Sequence, residues 1–305
     1  MIRHLINDQA KITAARAETE RFVEGHPDIR DTLDRYLEAY CMCMDLYPCT
    51  PDNIMSGNLV PYNHSYYQLE CSVELAMMGF YGNAFQSLRS VLELGLFAIF
   101  ITIDDQEHIT VKPWLRSQSK TPGLKYMADR LLKLDLFLEY DQRYGLFRRM
   151  GETMRQLHRF VHTQGYIYTH YRLSESNFNT FVEKSFKLYC ATAEAVVRDL
   201  VISLVLRYPI GMQRLPISAK FGLNGPVGGF LEGGQVDTLT QVIPDSEKAF
   251  LQKLSDENEQ TRNIRRGIEE MPDISDADFD HQADEWKKEH QGTSCGTSFG
   301  DGNKE

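Results

Sequence analysis

Apolar positions recur at three- and four-residue spacings along most of the first 208 residues, the signature of helices that each bury one face. The pattern predicts helices over Arg3–Glu24 and Pro27–Leu46, the second striped by Ile29, Leu33, Tyr36, Leu37 and Tyr40 and stopped at Pro48–Pro51. A loop at Asn58–Asn63 precedes a helix from Ser65 to Phe80, and Gly82-Asn83 reads as a break before Ala84–Ile103. Leu94–Ile101 is apolar on every face, as expected of a central bundle helix. Asp104–Pro122, with Pro113, Trp114 and Pro122, reads as a surface excursion. Helices follow over Gly123–Phe137, Tyr140–Thr163 and Asn177–Leu206, with a tyrosine-rich loop at Tyr166–Ser176 and a stop at Pro209.

The texture changes after Pro209. Seven glycines and four prolines fall between Pro209 and Pro244, so the segment suits an irregular or β-containing element or a strap across the bundle. Short helices are expected at Ser246–Leu254 and Glu257–Glu270, and the last fifteen residues have the composition of a disordered tail. The expected organisation is an all-α helical bundle over 1–208, a Gly/Pro-rich strap over 209–245, short acidic helices over 246–290 and a tail over 291–305.

Composition narrows the class. The strongest apolar run has eight residues, below the roughly 18 that span a bilayer, and no N-terminal targeting pattern is present; a soluble, cytoplasmic protein without membrane association is expected. Six scattered cysteines fit reduced thiols. The net charge of −10 is uneven: Asp245–Glu305 carries 16 acidic and 8 basic residues. Arg148, Arg149, Arg155, Arg159 and Arg172 stand in a stretch whose one acid is Glu152. Such a distribution argues against a general nucleic-acid coat and leaves room for a local anionic ligand.

Candidate chemistry gathers on Phe147–His162. Phe147, Met150, Met154, Leu157 and Val161 form one apolar stripe, with Gly151, Arg155, His158 and His162 on its shoulder. Arg155 and His162, two turns apart, project about 20° from each other. A guanidinium can hold a phosphate at two points, and a histidine titrating near neutrality can move a proton. Those are the parts a metal-free ribonuclease needs, with Arg159, Tyr166 and Tyr168 placed to meet RNA phosphates and unpaired bases. The same residues equally suit a satisfied polar edge. His158 and His162 have the spacing of two metal ligands on one helix face, but nothing nearby completes a set. No cofactor-binding motif is present. Arg89 and Glu93, four apart on the most apolar helix, suit an ion pair that is either structural or a brace for the site.

Asn83-Ala84, Leu88-Arg89, Leu92-Glu93, a Trp-bearing excursion and a helix ending Phe160-Val161-His162 together resemble bacterial HEPN-like helical proteins, over about Ser65–Arg207. The ribonucleases of that family carry an arginine, four to six intervening residues and a histidine, usually with a polar residue after the arginine. Arg155, Gln156 and His162 match. The resemblance implies an all-α bundle that dimerises and cleaves RNA without metal, with His162 as base and Arg155 as phosphate clamp. The alternative is a non-catalytic interaction protein whose acidic C-terminal region docks a protein partner, or one that uses the basic shoulder to sense a small ligand. The N-terminal helices and the region after Pro209 lie outside the family pattern.

Overall fold

The computed structural model describes residues 9–48, 55–104, 109–161, 180–222 and 228–275, with isolated positions as far as 284. It is all-α. Thirteen α-helices are defined among the described residues: α1 (Gln9–Glu24), α2 (Pro27–Met42), α3 (Val60–Met77), α4 (Tyr81–Asp104), α5 (Val111–Leu115), α6 (Leu124–Leu131), α7 (Asp135–Tyr144), α8 (Leu146–Val161), α9 (Glu183–Arg207), α10 (Ile217–Phe221), α11 (Gly233–Thr240), α12 (Asp245–Glu257) and α13 (Glu259–Glu270). Short 3-10 turns follow α2 and α9, at Cys43–Leu46 and Pro209–Met212.

Helix α4 is the axis of the bundle. It packs along α3, and α9, α8 and α6 take its other sides. Phe85, Leu88, Val91, Leu96, Phe97, Ala98 and Ile99 are fully buried on it. An 18-residue stretch within Tyr81–Ile103 reaches a mean hydropathy of 1.5, and the helix has the length to cross a membrane, more than its eight-residue apolar run suggests. Here 67% of that window is buried inside the protein, and the apolar surface is consumed by helix packing.

Four expected boundaries move, each for a local reason. The turn between α3 and α4 falls at Met78–Phe80, while Gly82 and Asn83 lie inside α4. Gly79 makes that turn with φ +78°, and a Cβ there would sit 2.8 Å from the backbone N and O of Thr180. Only glycine suits both the dihedral and the gap. Val60–Asn63, expected in a loop, opens α3, with Pro61 in the first turn where its missing N–H costs nothing.

The single helix expected over Gly123–Phe137 is two, α6 and α7, separated at 132–134. The helix expected from Tyr140 onward begins instead at Leu146. Gly145, in the left-handed region, ends α7. Asp141 Oδ1 then accepts the Phe147 N–H at 2.8 Å at the start of α8.

The excursion after α4 is tied down, with Val111 buried, the Trp114 ring 5.3 Å from Phe97 and its Nε1 donating to Thr121 at 3.0 Å. The Gly/Pro-rich segment is largely helical where described. Helix α11 packs on α2, and Ile210, Leu215, Ile217 and Ile268 form a small separate core against Phe221, Phe230 and Ile264. The one bridge position among the described residues is Phe230.

Candidate functional site

Helix α8 presents two unlike faces. Phe147, Met150, Met154, Leu157 and Phe160 are buried, while Arg148, Arg155 and Arg159 are exposed. The last turn is anchored by Phe160, stacked on Phe85 of α4 with centroids 4.1 Å apart and planes 12° from parallel. The apolar stripe therefore fixes the rotation of the helix, and that rotation sets Arg148, Arg155 and Arg159 outward.

Arg155 leans back along its own helix: a Cβ placed on Gly151 would lie 3.9 Å from Arg155 Nη1. A methyl group at Gly151 would make ordinary van der Waals contact with this guanidinium. His158 is half-buried on the shoulder. Gln156 turns the other way, its Nε2 donating to Thr192 Oγ1 of α9 at 3.4 Å. Thr192 in turn donates to Leu188 O at 2.7 Å. The polar residue after Arg155 is thus engaged with the neighbouring helix. His162, Tyr166 and Tyr168 lie outside the described residues, so the proposed base and the stacking tyrosines have no geometry here.

Arg89 and Glu93 are brought together as expected. Both Nε and Nη2 of Arg89 donate to Glu93 Oε1, at 3.1 and 2.9 Å. The pair sits on the partly open edge of α4, with 24% and 32% of the side chains exposed. Its hydrogen bonds run within α4 rather than to α8, and the connection to α8 passes through Phe85, one turn earlier.

Arg149 departs from the expected basic segment. It turns inward, its Nε and Nη2 donating to Asp199 Oδ1 at 3.2 and 3.1 Å, Nη2 also to Glu247 Oε2 at 3.2 Å, and Nη1 to Tyr144 O at 3.1 Å. Arg198 Nε adds a bond to Asp199 Oδ1 at 3.3 Å, and the Tyr140 hydroxyl donates to Glu247. Asp199 is 2% exposed and Glu247 12%. This cluster joins α7, α8, α9 and α12.

The electrostatics follow from burial. Desolvation pushes the Asp199 carboxyl above its ordinary value, and the nearby Arg149 and Arg198 pull it back only in part. Burial would lower the pKa of Arg149, but the charge of Asp199, the bond with Tyr140 and the charge of Glu247 outweigh it and raise it. The Tyr140 hydroxyl is pushed up by burial and then by its bond to Glu247. The sequence signal for this cluster was present in Arg198-Asp199 inside an apolar helix; its partner Glu247, far along the chain, carried none.

Two kinds of arginine therefore stand on α8. Arg149 is saturated and holds helices together, whereas Arg155 faces solvent and can offer a fork to an anion. Among the described residues no three His, Cys, Asp or Glu side chains are grouped to hold a metal ion. No family model, curated protein or solved structure matches this chain.

Proposed function

We propose that this chain is a HEPN-like protein that cleaves single-stranded RNA without a metal ion. The observation that carries the reading is the outward set of Arg155 on α8, a helix locked in rotation by its buried face, with His162 seven residues later in the sequence. Arg155 holds the scissile phosphate and stabilises the charge that develops on it. His162 takes the 2′-hydroxyl proton. Arg159 contacts a neighbouring phosphate, and Tyr166 and Tyr168 stack on unpaired bases. His158 shares the α8 shoulder with Arg155, the Arg89–Glu93 pair stiffens α4 against which α8 leans, and two copies of the chain complete the site in the cytoplasm.

The second reading is a non-catalytic helical interaction protein, with the acidic C-terminal region as the docking surface for a protein partner. The closed Arg89–Glu93 pair and the engaged Gln156 favour it, because both residues serve the scaffold.

The two part company in one assay. Purified protein, Arg155→Ala and His162→Ala are incubated with varied single-stranded RNAs in EDTA. Cleavage by the parent and its loss in both variants support the ribonuclease. No cleavage of any RNA by a folded parent overturns it and leaves the interaction reading.

A further inference from the structure

Arg207 closes α9. Its Nε donates to Thr102 Oγ1 at 2.8 Å and its Nη2 to Thr102 O at 2.9 Å, and its guanidinium carbon lies 4.8 Å from the centre of the Tyr208 ring. These contacts fix the orientation of the group, yet none brings a negative charge. Nη1 takes no part in them. Among the described residues no carboxylate pairs with this half-buried arginine, an arrangement that favours an anionic visitor.

The same arginine lines a cleft of about 440 Å³ where the ends of α7, α9, α12 and α13 meet, and a second cavity of about 280 Å³ beside it. The larger volume falls within the roughly 300–1,000 Å³ of small-ligand sites. Leu206 and Leu254 give it a buried apolar wall. Asp135, Glu139 and Glu259 stand exposed around it. Asp135 and Glu259 occupy the first turns of their helices, where they also offset the helix dipole; Glu139, a turn further on, has no such role. Among the described residues none of the three is in an ion pair. Glu257, on the same cleft, is 3.8 Å from Lys253.

Opposite charges thus share one cleft without touching. A single guanidinium calls for one negative group, and three unpaired carboxylates call for positive charge in excess of it. We propose that the cleft binds a basic α-amino acid of the lysine or arginine type. Its carboxylate sits on Arg207, its α-ammonium and side-chain cation lie among Asp135, Glu139 and Glu259, and its methylene chain runs along the leucines. This is a ligand site separate from α8 and independent of the reading given for that helix.

Titration calorimetry of the full chain with L-lysine and L-arginine tests it, with cadaverine (no carboxylate) and norleucine (no second amine) as controls. Lysine or arginine should bind, and both controls should bind at least about tenfold more weakly, the loss of one charge-assisted contact. Glu139→Gln, on an exposed position, should weaken lysine by a similar factor with the melting temperature unchanged. Three results would each overturn the proposal: no heat from lysine or arginine at millimolar concentration, cadaverine binding as tightly as lysine, or Glu139→Gln binding lysine as tightly as the parent.

Discussion

Arg149 reaches from α8 to Asp199 of α9 with a nitrogen–oxygen distance of 3.1 Å, and the carboxylate it meets is 2% exposed. Breaking such a pair from one side leaves a buried charge without compensation. Arg149→Met should therefore lower the unfolding free energy by about 3–5 kcal/mol, read as a fall in the urea midpoint. A loss below about 0.5 kcal/mol, the range of ordinary surface changes, would show that Asp199 finds other support.

The same carboxylate predicts a pH dependence. Burial raises the folded-state pKa of Asp199 above its ordinary value, so the folded chain holds the proton more firmly than the unfolded one. Its contribution is fully present below the ordinary aspartate pKa of about 4 and is lost as pH rises through the raised folded value. The stability of the parent relative to Asp199→Asn should thus decline as pH increases across that window. Paired denaturation curves from pH 3 upward measure it, and a difference that grows with pH contradicts the assignment.

Gly79 combines φ +78° with backbone atoms of Thr180 that would stand 2.8 Å from any Cβ. Gly79→Ala meets both strain and collision. A loss of about 1–3 kcal/mol is expected from the backbone conformation, visible in thermal melting. Gly82→Ala, inside α4 with open space around its Cβ position, should be neutral or stabilising by comparison.

On α8 the two faces should respond in opposite ways. Phe160→Ala removes the ring stacked on Phe85 at 4.1 Å and should cost about 3–5 kcal/mol. Arg155→Ala, on the exposed face, should change stability by no more than about 0.5 kcal/mol. Denaturation of both variants separates a functional from a structural arginine. If Arg155→Ala unfolds as readily as Phe160→Ala, the residue belongs to the scaffold.

Much of this was legible in the residues. The apolar stripe of α8 and the all-round apolarity of Leu94–Ile101 identify the two helices that organise the bundle, because burial imposes the periodicity directly. The Arg89–Glu93 pair followed from a spacing of four. Helix ends were harder to place: Gly145 and Gly79 break the chain through left-handed dihedrals, and nothing nearby distinguishes them from Gly82, which continues a helix. The inward turn of Arg149 was hidden for a different reason. Its place on α8 puts it next to the exposed Arg148, and only the arrival of Asp199 and Glu247 from distant segments turns it toward the core. Of the candidate site, Arg155 stands outward as its helical position requires, while His162, Tyr166 and Tyr168 fall outside the described residues.

Helix α4 has one more implication, for the order of synthesis. It is complete at Asp104, yet the α9 surface that covers one of its sides ends at Arg207. Roughly a hundred residues must still emerge, about 5–20 s at ordinary translation rates. Throughout that interval α4 has α3 beside it and an open side where α9 will dock, and until Val161 has emerged the side that α8 covers is open as well. A nascent chain halted before Glu183 should therefore be held by chaperones, and one extended past Arg207 should be released.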